Sequence, residues 1–167
     1  MSYWDTPGRS EEWFTPPHIF TALGERFDLD VAAPAGIETF VPADRFITSD
    51  SLSQEWHGFV WMNPPFGGRN GLEPWLRKFF AHGNGIALTP DRTSAPWFRE
   101  AWTRADAVLF TPKQKFYRPD GSLGRSPSNG TALFAAGERA TSALIAAATS
   151  GLGILAKPLT TGRPDER

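Results

Sequence analysis

The chain has 167 residues, 40% of them apolar, no cysteine and a net charge of −1. Such a length buries one proper core and leaves no room for two sizeable domains, while the missing cysteines exclude disulfides, thiolate metal sites and a cysteine nucleophile. The near-neutral charge supplies no global positive field for nucleic acid, so any such surface must come from local clustering. No apolar run approaches the ~18 residues of a membrane span, and the start Met1-Ser2-Tyr3-Trp4-Asp5 has neither the basic nor the apolar region of a signal peptide. His18, His57 and His82 are scattered, with no pair at i, i+4 spacing, so no metal site is expected. Seven Trp and thirteen Phe exceed ordinary core needs and suit a stacking cleft.

Residues 1–14 read as an N-terminal arm that orders only if Trp4 and Trp13 find a groove. Thr15-Pro16-Pro17 opens a helix, with Thr15 as N-cap, Pro16 in the first turn, and Ile19, Phe20, Leu23 and Phe27 at helical spacing. A short strand from Phe27 ends in Ala32-Ala33-Pro34, small residues that let a ligand come close at a strand's carboxyl end. Residues 34–58 should be mostly loop, with a short strand near Arg45-Phe46-Ile47. From the residues alone, Asp30 suits a turn carboxylate and Asp50 the N-cap of a short helical turn through Trp56.

The run Phe59-Val60-Trp61-Met62 is apolar throughout, as a strand buried on both faces must be, and Asn63-Pro64-Pro65-Phe66 stops it because proline cannot continue a ladder. Asn63 and Pro64 each precede a proline and are held extended, which presents an amide oxygen and a carbonyl beside the ring of Phe66. An exocyclic amine on a nucleobase is a poor nucleophile, since its lone pair is delocalised into the ring. Two acceptors on its N–H bonds localise that pair, and Phe66 can stack on a base swung out of its duplex. The bland reading of the same residues is a strand end at a Pro-Pro turn.

Beyond a glycine-rich loop at 67–71 that carries Arg69, residues 72–82 read as a helix with Trp75, Leu76, Phe79 and Phe80 in the core. A strand at 85–88 ends at Thr89-Pro90-Asp91-Arg92, and Ser94-Ala95-Pro96 opens a helix with Trp97, Phe98 and Trp102. After a buried strand at 107–110, Lys113, Lys115, Arg118 and Arg125 interleave with Phe116 and Tyr117 around a Pro-Asp-Gly turn. That pattern fits a hairpin tracking a phosphate backbone, or an ordinary solvated hairpin. A strand at 131–135, a helix at 138–149, an edge strand at 153–156 and a mobile tail from 157 complete the chain. Strands alternating with helices predict a single α/β domain over 15–156, with a mainly parallel sheet and helices on both faces. Asp30, Asp50, Asn63 and residues 89–92 then meet at one crevice.

Asn63-Pro64-Pro65-Phe66 resembles the catalytic motif of amino-group DNA methyltransferases. Together with Leu29-Asp30-Val31-Ala32-Ala33, the Asp50-x-Leu52…Trp56 segment and Arg92-Thr93 before Trp97-Phe98, it makes residues 14–135 similar to the phage-type (Dam-like) DNA N6-adenine methyltransferases. The resemblance implies a Rossmann-like fold, S-adenosylmethionine as cofactor, double-stranded DNA as partner, and the cytoplasm of a bacterial cell or phage-infected host. It makes Asn63, Pro64, Pro65 and Phe66 the catalytic set, and Asn rather than Ser at 63 favours adenine. It sets Thr15 and Pro16 near the methionine end of the cofactor, with Asp30, Ala32 and Ala33 flanking it. Asp50 would accept from the cofactor's adenine amine, and Leu52 would lie against that ring. Arg69, Arg92, Lys113, Lys115, Arg118 and Arg125 are the expected DNA contacts. Asn129-Gly130 replaces the bulkier residues expected there. A cytosine-N4, RNA-adenine or protein glutamine methyltransferase, or an inactive DNA-binding relic, would share the motif. With no separate recognition domain, a short target site or low specificity is expected.

Overall fold

Seven short strands pair into one sheet in the computed structural model, which describes residues 13–66, 71–125 and 130–159. The strands are β1 (Phe27–Asp30), β2 (Ala43–Phe46), β3 (Val60–Met62), β4 (Gly85–Pro90), β5 (Ala107–Thr111), β6 (Thr131–Ala136) and β7 (Ile154–Ala156), in the order β2-β1-β3-β4-β6-β5-β7. Helices α1 (Pro17–Leu23) and α4 (Glu138–Thr149) pack together on one face, and α2 (Glu73–His82) and α3 (Pro96–Arg104) on the other.

The sheet is mixed, which corrects the mainly parallel expectation. β2, β1, β3 and β4 run parallel to one another, whereas β6 is antiparallel to both β4 and β5, and β7 is antiparallel to β5. The reason lies in the connections. A parallel neighbour needs a crossover, which α2 supplies between β3 and β4; the 112–130 connection has no helix among its described residues and folds straight back. β6 thereby enters between β4 and β5, and all six of its residues are buried.

Alternation along β3 sends Phe59 and Trp61 to the α1/α4 face, and Val60 and Met62 to the α2/α3 face. Trp61 meets Phe20 at 4.9 Å and Phe27 at 5.5 Å between ring centres, and Phe27 stacks on Phe59 at 5.0 Å. This cluster ties α1 to the central strands.

Helix α1 begins one residue later than its sequence suggests. Pro17 opens it, and extended Pro16 (φ −66°, ψ 146°) stands at the N-cap, where no side chain caps the helix. Thr15 therefore lies just outside the helix, and its hydroxyl is free for another partner. At the same end of the sheet, Pro90 pairs with Thr131, so the start of β6 joins the carboxyl ends of β1, β3 and β4 along one edge.

Candidate active site

Along that edge lies a cleft of about 1120 Å³, just above the ~300–1,000 Å³ usual for small-molecule sites. Strand order divides it. One half lies over β1 and β2 and is lined by Asp30, Ala32, Ala33, Thr39, Val41 and residues 47–53; the other lies over β4 and β6, with Pro90, Arg92, Arg125, Gly130 and Thr131. Between them, Asn63-Pro64-Pro65-Phe66 continues from β3. The ring of Phe66 is 37% exposed and Pro64 is buried.

The orientation of Asn63 follows from strand parity. Positions 59, 61 and 63 share a face, so the amide emerges on the α1 side and meets Thr15, which directly precedes that helix. Asn63 Nδ2 donates to Thr15 Oγ1 at 3.2 Å. Among the described residues no fully buried side-chain nitrogen or oxygen lacks a partner. Among the described residues no hydrogen bond engages the other end of the amide, Oδ1, and Asn63 lines the cleft.

Two carboxylates face the β1/β2 half. Asp30 is 3% exposed, and its Oδ1 accepts from Ala32 N–H at 3.1 Å. Burial pushes its pKa up to about 7 against the lowering effect of that hydrogen bond. Asp50 precedes a single 3-10 turn, Ser51–Ser53, in the left-handed region (φ 50°), the one non-glycine residue there among those described. It stands at the N-cap position, but its side chain makes no capping bond, which leaves the carboxylate at the cleft. Leu52 is 40% exposed beside it.

Lys78 of α2 fixes this loop. Its ammonium donates to the carbonyls of Ser51 at 3.0 Å, Leu52 at 2.9 Å and Gln54, and lies 4.9 Å from the centre of the Trp56 ring. The Trp56 indole N–H in turn donates to both Ser51 O and Ser51 Oγ at 3.1 Å.

Across the mouth, the basic segment is a minimal hairpin. Tyr117 bridges Leu123 and also Phe14, which brings the end of the N-terminal arm onto it. Arg118 is engaged there, lying 5.6 Å from the Trp13 ring centre and donating to Ser122 Oγ at 3.2 Å. Lys113 and Lys115 are exposed outside the cleft lining, and Pro16 is buried outside it too. Arg69, Trp4 and residues 126–129 lie outside the described residues.

The sequence reading put Trp75 in the core, but it is half-buried and lines the cleft, its ring 6.3 Å from that of Trp56. Only Leu72, Leu76 and Phe79 form the buried stripe of that helix; Trp75 flanks it. Trp13, Phe14 and Phe116 are further lining residues that the sequence reading did not select. Their signal was present, an aromatic arm and an aromatic hairpin of matching character, though nothing local says that they meet. Among the described residues no group of three or more His, Cys, Asp or Glu is placed to hold a metal ion, and no helix is long and apolar enough to cross a membrane.

These features define a broad class, an α/β domain with a ligand-sized cleft where its strands end. The particular family comes from comparison. Residues 6–150 match the family model described as DNA N-6-adenine-methyltransferase (Dam), and the chain belongs to that family. Comparison with curated proteins and comparison with solved structures each returned no match. Membership implies a DNA methyltransferase, with DNA as the expected substrate, in a family generally dependent on S-adenosylmethionine.

Proposed function

We propose that the chain methylates the N6 amine of adenine in DNA, with S-adenosylmethionine as methyl donor and the target base turned out of the duplex into the β4/β6 half of the cleft. The observation that carries this reading is Asn63, which lines the cleft between its two halves with its amide nitrogen held by Thr15. The β1/β2 half suits the cofactor's chemistry. Asp30 and the uncapped Asp50 offer carboxylates to a ligand that carries cationic groups and an adenine amine, Leu52 offers apolar surface, and Ala32 and Ala33 leave room. When bound, S-adenosylmethionine supplies a methyl group already activated on a sulfonium.

The chain's own residues do the rest by position and electrostatics. Asn63 Oδ1 and the Pro64 carbonyl accept from the target amine, hold its lone pair on nitrogen, and stabilise the positive charge that develops there. Asn63 is neutral and takes no proton, so the surplus amine proton leaves to water. Phe66 stacks on the extracted base and offsets part of the few kcal/mol that extraction costs. Arg92 and Arg125, at the same half, are suited to flanking phosphates. Direct transfer of this kind needs no covalent intermediate.

The test is incubation with methyl-labelled S-adenosylmethionine and unmethylated duplex DNA, then digestion to nucleosides. Label in N6-methyl-2′-deoxyadenosine is expected. Label confined to N4-methyl-2′-deoxycytidine would replace the substrate, and no nucleoside label despite calorimetric proof of cofactor binding would overturn the reading.

A further inference from the structure

We infer that Thr15 is a positioning residue that sets which end of the Asn63 amide meets the target amine, and that the arm 13–15 links this setting to the 113–125 hairpin. The inference rests on the proposed role of Asn63. A carboxamide has an accepting and a donating end, and only the oxygen can receive an amine N–H. Turned the other way, the amide would set donor against donor. The Thr15 hydroxyl, able to donate as well as accept, here accepts Nδ2–H at 3.2 Å, which sets the opposite end of the amide, Oδ1, away from Thr15. Thr15 is 3% exposed, and the following Pro16 holds it extended, so its hydroxyl has little freedom to wander.

The backbone behind Thr15 is equally constrained. Phe14 N–H donates to Tyr117 O at 2.8 Å and Tyr117 N–H to Phe14 O at 3.0 Å, a closed pair that carries the arm on the hairpin. Trp13 lies on Gly124 so closely that a Cβ there would sit 2.5 Å from its ring, and Arg118 covers the ring. A displacement of the hairpin thus reaches Thr15 through two residues.

Thr15→Val keeps the shape and removes the acceptor; Thr15→Ser keeps the acceptor. At saturating S-adenosylmethionine, Thr15→Val should lower kcat about 10- to 100-fold, the scale of a misplaced reacting group, while calorimetric cofactor affinity stays within about twofold. Thr15→Ser should restore most of the rate. Full kcat in Thr15→Val, or lost cofactor affinity at unchanged kcat, would overturn the inference and leave Thr15 a cofactor contact. Gly124→Ala, which crowds Trp13, should slow the wild type but add little on top of Thr15→Val; full additivity would remove the hairpin link. Asn63→Ala, run alongside, tests the underlying role itself. Independently of turnover, NMR of the Asn63 side-chain amide should show the one Nδ2–H that Thr15 accepts shifted upfield, toward its position in a solvated amide, in Thr15→Val but not in Thr15→Ser. Unchanged signals in Thr15→Val would overturn the hydrogen-bond assignment even if catalysis stood.

Discussion

Asn63 and Asp30 stand at the ends of adjacent strands and carry different kinds of chemistry. In the proposed reaction Asn63 is a neutral acceptor, so its value would lie wholly in aim. Asn63→Ala is expected to abolish measurable methylation with little change in cofactor affinity, read by labelled-methyl incorporation and calorimetry; wild-type turnover would refute its role. Asp30 is a carboxyl whose burial raises its pKa from 3.8 to about 7. Its neutral form is favoured in the fold, so its contribution to stability is fully present below about pH 4 and is lost as pH rises to about 7. Asp30→Asn should therefore flatten the fall in stability between pH 4 and 7 that wild type shows in urea unfolding. A cationic ligand favours the charged carboxylate instead, so wild-type affinity for S-adenosylmethionine should rise as pH passes through 7, and the Asn variant should lose that dependence. An identical pH profile in both proteins would detach Asp30 from the site.

At the scale of elements, the loop carrying Asp50 and Leu52 owes its shape to α2. One ammonium serves three carbonyls, and nothing local in residues 49–54 announces that arrangement. Lys78→Met keeps the apolar stem against Trp56 and removes the donors. With charged hydrogen bonds worth ~1.5–3 kcal/mol, cofactor affinity should weaken about tenfold or more while kcat at saturation changes little. Calorimetry on the two proteins decides this, and equal affinities would show that the loop holds without Lys78. The sequence is legible here to an uneven degree. Strand β3 and its stop are plain, because four apolar residues before two prolines allow little else. The Thr15 cap is misjudged because Pro16 and Pro17 are both able to start a helix, and a shift of one residue moves the hydroxyl from helix to cleft. Trp75 misleads because an amphipathic stripe has borders, and hydrophobicity alone cannot say which border residue faces a ligand.

For the whole molecule, the site exists because distant segments converge. Asn63 and Thr15 are 48 residues apart, and their contact depends on the parity of β3 and on α1 lying over Trp61. The alternation of strands and helices reveals the parallel half of the sheet, but the insertion of β6 depends on a return with no helix among its described residues, which sequence reading treated as a basic hairpin and not as a sheet connection. Trp61 is 1% exposed, at the junction of α1, β1 and β3. Trp61→Ala should lower stability by about 3–5 kcal/mol, a large share of the ~5–15 kcal/mol typical of a domain, seen as a shifted urea midpoint. A shift below 1 kcal/mol would mean that the aromatic junction does not carry the fold.

Arg118 is turned inward onto Trp13, which leaves Arg92 and Arg125 as the described arginines lining the cleft. A duplex that relied on these two cations alone would be held loosely, with a shallow slope of log affinity against log salt, about −0.9 for each phosphate neutralised. The enzyme is therefore expected to act distributively, leaving after each methyl transfer, so that with excess multi-site DNA the early products are molecules modified once rather than molecules modified throughout.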